Sequence, residues 1–401
     1  MKLIVLVNQN LNQTNLKRFN LKLNKNIQFK KIYWSILPLN NKNLFLEYEK
    51  KEYRPKKNKN FINLKSYFEV YKNLKKINNE TYFINQSGNY LKSLLIEIIL
   101  RLKGCKIVKK IDGYNYILNK EKFSTRLARL YEFGFIFTLN KIFKSSLSLV
   151  KIYFLNIFSA VPDYYIVENQ QSVEELQRKK INKFIKINSF TFSEFHKIRS
   201  NKSSKNYFVF LDSEIENSFE SKILNNRHSE INHFKYWRCL DKIFDELSYN
   251  LKTNVKIASH FRRSKNNCPL KEKDFYFDQT LNLIKNSKFV VAHNTSAIDW
   301  AVLFKKPILL LNFKIFDSIS LENSDSIKFY ADRLSLETIN IDLDYSYTFD
   351  KKKLRELLKI NQKKYQRFSN FYLNYQRNQF PYLNQWEILY KYFKQKIINV
   401  K

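Results

Sequence analysis

Ser287-Lys288-Phe289-Val290-Val291-Ala292-His293-Asn294-Thr295-Ser296-Ala297-Ile298-Asp299-Trp300-Ala301-Val302-Leu303-Phe304-Lys305-Lys306-Pro307-Ile308 is the stretch on which the fold turns. Phe289–Ala292 is a short apolar run of the kind a strand buried on both faces needs. A polar turn follows, a helix is predicted from Ser296 to Phe304, and Pro307–Leu311 reads as the next strand. Strand, turn, helix and strand in this order make one βαβ step of a parallel sheet. The first turn of such a helix offers unbonded N–H groups, and the hydroxyls of Thr295 and Ser296 add donors. Together they form a phosphate site without glycine. Ser296-x-x-Asp299 is equally a capping box that serves the helix alone, and spacing does not separate the two readings.

Upstream the same alternation continues. Tyr207–Leu211 and Val255–Ala258 read as strands, Phe234–Tyr249 and Asp278–Asn286 as helices. Trp237, Leu240, Ile243, Phe244 and Leu247 recur at helical spacing. Right-handed crossovers put every strand C-terminus at one edge, where parallel sheets bind ligands. Asp212, His260 and His293 end strands at that edge, with Arg262 and Arg263 just behind His260 and Asn294 just behind His293. An imidazole and two guanidiniums suit a phosphate leaving group; the bland alternative is a solvated basic loop. Asp212 either orients a sugar or base or caps its loop. His293 either touches ligand or only caps its own loop.

The first half is less regular. Met1–Val7, Thr81–Asn85 and Asp163–Glu168 read as strands, Tyr90–Leu102 and Val173–Asn182 as helices, and the lysine-rich 40–65 as loops. Lys197–Lys205 is the linker candidate. Helices at Lys351–Tyr372 and Asn384–Ile398 close the chain, the last with a docking stripe of Trp386, Leu389, Tyr390 and Phe393. The expected division is therefore an N-terminal domain 1–200, a parallel-sheet domain 205–375 and a terminal helix 376–401.

Composition narrows the function. The 401 residues are 44% hydrophobic and 16% aromatic, enough for two cored domains. With only 4 glycines, neither Gly-x-Gly-x-x-Gly nor a Walker A loop can be written. The net charge of +36 is spread along the chain, which fits compositional drift or a basic membrane-facing surface better than a specific nucleic-acid site. Cys105, Cys239 and Cys268 form no Cys-x-x-Cys pair and point to a reducing cytoplasm. No apolar run spans a bilayer. Phe133–Val161, broken by Lys141, Lys144 and Lys151, is either a buried helix pair or an interfacial segment.

Residues 205–315, through Tyr207–Asp212, Lys256–His260, Thr280–Ser287 and the Thr295-Ser296 turn followed by Lys306-Pro307-Ile308, resemble the C-terminal half-domain of GT-B glycosyltransferases that build bacterial surface polysaccharides. The resemblance implies two Rossmann-like α/β domains, parallel sheets with helices on both faces, and C-terminal helices packing back. It further implies a nucleotide-sugar donor held at His260, Arg262, Arg263, His293, Asn294, Thr295, Ser296 and Asp212, a glycan or lipid-linked acceptor, and no obligatory metal or cofactor. Work in the cytoplasm, peripheral to the inner face of the membrane, follows from the same likeness. Bacterial sialyltransferases and polysialyltransferases pair a His-Pro motif with a Ser-Ser/Thr motif and use a paired acid before glycine as base. Here Phe261 follows His260, and Asp112-Gly113 is preceded by Ile111, so Asp112 is the base candidate and the donor nucleotide stays open. A glycerophosphotransferase or sugar-nucleotide epimerase of the same fold, and a non-enzymatic basic RNA- or membrane-binding protein, are the alternatives.

Overall fold

The computed structural model describes residues 2–9, 30–43, 45–46, 58–77, 81–86, 91–111, 162–198, 205–217, 231–260, 263, 268–316, 321–345, 347–373, 380 and 383–398. Asp112, Arg262 and Phe133–Val161 lie outside them.

Two parallel-sheet units emerge. The first sheet holds β1 (Lys2–Val7), β2 (Lys30–Ser35), β3 (Phe61–Asn63), β4 (Thr81–Asn85), β5 (Lys106–Lys110), β6 (Tyr164–Val167) and β7 (Phe184–Lys186), in the order β3-β2-β1-β4-β5-β6-β7. The second holds β8 (Tyr207–Leu211), β9 (Asn254–Ala258), β10 (Phe275–Tyr276), β11 (Val290–Ala292), β12 (Ile308–Phe313) and β13 (Thr338–Ile341), in the order β10-β9-β8-β11-β12-β13. Both orders are the Rossmann pattern, in which the chain winds outward one way and then returns to wind the other. Leu3–Val7 of β1 and all of β8 are buried, as strands covered on both faces must be.

Each unit takes its core from patterns visible in the chain. In the first, Ile4, Leu6, Trp34, Phe83 and Ile107 from the sheet meet Val70 and Leu74 of helix Tyr67–Leu74 and Ile96 and Leu100 of helix Leu91–Leu102. In the second, helix His233–Leu251 buries Tyr236, Trp237, Leu240, Ile243, Phe244 and Leu247. Its N-cap Asn232 accepts the Lys235 N–H at 3.0 Å, and Lys252 ends it at φ 48° in the left-handed region.

The polar segment expected to be loop contains β3, and β2, β5 and β7 lack the clean apolar run of β1 or β8. In β2 and β5 flanking lysines dilute the hydrophobic signal, yet Ile32, Trp34, Ile107 and Val108 are core residues. Contacts divide the chain at a different place from composition. One unit comprises Met1–Val167, Ser172–Ile187 and Trp386–Lys401, the other Glu168–Gln171 and Asn188–Gln385. Helix Phe190–Lys197, on the N-terminal side of the lysine-rich stretch, therefore sits with the second unit. Of the closing helices only Gln385–Ile398 packs on the first unit. Trp386 meets Tyr33 edge-on at 5.9 Å and Phe393 lies 4.1 Å from Tyr82. The segment Lys351–Leu373 stays with the second, where Tyr365 donates to the Lys306 carbonyl at 3.1 Å. Ile388 takes the buried place expected of Tyr390.

Lys31 of β2 is buried beneath that last helix, its amine 4.4 Å from the Trp386 ring centre and 5.7 Å from that of Tyr33. Burial pushes its pKa down to about 7. An unfolded lysine holds its proton up to about 10.4, so folding releases a proton between that pH and about 7, and stability rises with pH through the window. Lys31→Met should raise the thermal midpoint at pH 7 and flatten its rise between pH 7 and 10. An unchanged pH slope would show that burial of this amine is not what costs stability.

Candidate functional site

β8 and β11 are neighbours in the second sheet, but the chain leaves β8 toward β9 on one side and β11 toward β12 on the other. Their C-terminal ends flank a topological switch point, where open parallel sheets form their ligand crevice. Asp212, Ser213 and Glu214 follow β8 there, Ser259 and His260 follow β9, and His293 to Ser296 follow β11.

Beneath this edge lies a buried charge network. Arg263 donates to Asp212 through Nε at 2.7 Å and Nη2 at 3.1 Å, and Nη2 also reaches Glu216 Oε1 at 2.7 Å. Asp212 additionally accepts the backbone N–H groups of His260 (3.1 Å) and Glu214 (2.9 Å). Burial alone raises a carboxyl pKa, but the Arg263 bonds and charge, joined by the two backbone donors, hold Asp212 below its ordinary range. Glu216 also accepts from Trp237 Nε1 at 2.6 Å, and the guanidinium lies 5.0 Å over the Trp237 ring. Asp212 and Arg263, expected to face a nucleotide, are thus paired with one another inside the protein.

His293 is fully buried as well. Its Nδ1 is 3.3 Å from the Ser213 hydroxyl and its Nε2 is 2.8 Å from the Tyr236 hydroxyl. Burial pushes its pKa down to about 4, so the ring is neutral near pH 7 and serves one donor and one acceptor bond. It links the ends of β8 and β11 to helix His233–Leu251 across the switch point.

What remains at the surface is the turn. Asn294 and Thr295 are half-buried and Ser296 is exposed. Thr295 Oγ1 accepts the Ala297 N–H at 3.3 Å, which folds the turn on itself. The following helix, Ile298–Leu303, begins two residues later than the pattern predicts and has only 6 residues. Ala297 stands at its N-cap without a side-chain bond, and the Asp299 carboxylate accepts from the Tyr330 hydroxyl at 3.0 Å. The capping-box geometry is absent at this helix start, and so short a helix adds little dipole, which leaves the hydroxyls and amides of the turn as the available donors.

His260 is partly exposed at the end of β9, its Nδ1 3.3 Å from Glu214 Oε2. Glu214 has φ 52°, a left-handed backbone unusual for a residue with a Cβ, and the turn that holds it there is closed by its N–H to Asp212. Glu214, Glu216, Ser213 and Tyr236 were not among the residues the sequence singled out. The available signal was the alternation Asp212-x-Glu214-x-Glu216 just past a buried strand, facing His260-x-x-Arg263.

No protein-family model matches the chain, and no curated protein resembles it closely enough in sequence to count as a relative. Solved structures do resemble it. Os79 from O. sativa, in complex with UDP, aligns at TM-score 0.50 with 10% identity, covering 98% of this chain and 99% of that one. CalG4, the calicheamicin glycosyltransferase, aligns at TM-score 0.46 with 9% identity, over 91% and 92%. The UDP-GlcNAc 2-epimerase from Methanocaldococcus jannaschii aligns at TM-score 0.44 with 13% identity, over 98% and 100%. At such identities the likeness concerns fold alone: two Rossmann-type parallel-sheet units, as in GT-B glycosyltransferases.

Arg263→Met leaves Asp212 and Glu216 buried without their cation, and should cost about 3–5 kcal/mol in urea unfolding. Adding Asp212→Asn should recover part of that loss. A single variant as stable as the parent would mean that the pair does not hold this edge together.

Proposed function

We propose that the chain is a glycosyltransferase that receives a nucleotide-sugar donor at the C-terminal edge of its second sheet. The observation that carries the reading is the division of labour at the switch point. Asp212, Arg263 and Glu216 are buried and paired with one another, while Thr295 is half-buried and Ser296 exposed at the turn. An anion arriving there meets hydroxyl, amide and backbone donors already held in place by the network below. His260, braced by Glu214, stands one strand away and supplies a further donor for the departing nucleotide as the anomeric carbon becomes cationic. Os79 was solved with UDP, which makes UDP the first nucleotide to try. The resemblance of residues 205–315 to surface-polysaccharide enzymes suggests an acceptor hydroxyl on a surface or lipid-linked glycan.

A thermal-shift series with UDP, CMP and GDP tests the donor site. A nucleotide at 100 times its Kd should stabilise the fold by about 2.7 kcal/mol. Thr295→Ala and Ser296→Ala should each weaken that nucleotide about tenfold, the loss of one hydrogen bond to a charged group. Stabilisation by heparin or other polyanions with none from any nucleotide would defeat the assignment.

A further inference from the structure

The first unit presents an apolar surface that its own core does not use. Helix Tyr67–Leu74 turns Val70 and Leu74 inward but leaves Tyr67, Phe68 and Tyr71 at 58%, 73% and 56% exposure. Positions 67, 68 and 71 fall together on the outer face of the helix. Helix Leu91–Leu102 shares the same core through Ile96 and Leu100, and its Leu95, Ile99 and Leu102, spaced four and three residues apart, point outward, Leu102 at 83% exposure. Lys103 donates to the Leu74 carbonyl at 3.0 Å, tying the end of one helix to the end of the other. Two neighbouring helices thus show solvent an aromatic and an aliphatic stripe. A folded protein rarely leaves so many large apolar side chains together in water without a use for them.

The charge around these stripes has one sign. Lys65, Lys72, Lys75, Lys76 and Lys106 are exposed. Lys75 lies 4.6 Å over the Tyr71 ring, so amine and ring reach the surface as one amphipathic unit. The two acids on these helices are turned to internal tasks. Glu69 accepts the Lys65 backbone N–H at 2.6 Å in the cap, and Glu97 is buried, accepting from Asn85 at 2.6 Å.

We propose that this face docks on the surface of an anionic lipid bilayer. Tyr67, Phe68 and Tyr71 enter at the level of the headgroups, where amphipathic rings are most stable, and the lysines meet anionic lipid. A second copy of the chain is disfavoured as the occupant because it would bring the same lysines against each other. Among the described residues no helix is long and apolar enough to cross a membrane, so the contact is with the surface.

Sedimentation of the full chain with phosphatidylcholine vesicles, alone or mixed with phosphatidylglycerol, tests this. Binding should require phosphatidylglycerol and weaken with salt. Phe68→Ser with Tyr71→Ser should cut it at least about tenfold, and Lys72→Gln or Lys75→Gln about fivefold each. Because these side chains are exposed, the thermal midpoint and its shift by nucleotide should stay as in the parent, which separates failure here from failure of the donor site. Vesicle binding unchanged in the variants, or absent from the parent, overturns the proposal. So does a dimer in sedimentation equilibrium that the same substitutions abolish.

Discussion

The ion pair between Asp212 and Arg263 holds together the part of this protein with chemical potential. A carboxylate and a guanidinium withdrawn from water are costly, and the cost is offset only when nearly every lone pair and N–H finds a partner. Asp212 meets that demand with two guanidinium bonds and two backbone N–H groups, and Arg263 gives Nε and Nη2, though not Nη1, to Asp212 and Glu216. The ends of β8 and β9 are clamped as a result. Glu214 is held in its left-handed turn by the same carboxylate, and from that turn it reaches His260.

On the other side of the switch point the linkage is neutral. His293 bridges Ser213 and Tyr236 in a site too dry to keep a proton on the ring. Charged groups on one side and an uncharged relay on the other tie the ends of β8, β9 and β11 to helix His233–Leu251. The Asn294–Ser296 turn follows directly on His293, the residue so held.

Much of the second unit could be read in advance. β8 is an unbroken apolar run and matched its expected bounds, Tyr207–Leu211, and helix His233–Leu251 announced itself through Trp237, Leu240, Ile243, Phe244 and Leu247 at helical spacing. The first unit was harder because lysines flank β2 and β5 and dilute their short hydrophobic centres. A strand of three residues such as β3 carries no period at all; only its pairing with β2 makes it a strand. The site followed the same logic. Spacing brought Asp212, His260, Arg263 and His293 to one sheet edge, but whether each faces ligand or interior depends on who its neighbours are.

Sequence by itself determined the βαβ alternation, the parallel sheets and the edge where polar residues gather, because hydrophobic period and turn chemistry are local properties of the chain. Only the tertiary structure decided that Asp212 and Arg263 turn inward, that His293 is sealed, and that Glu214 reaches His260. Those outcomes rest on contacts between residues 46 to 80 positions apart along the chain, such as Glu214 to His260 and Ser213 to His293. No local pattern encodes which of several charges at one edge will find a buried partner and which will be left to meet the solvent.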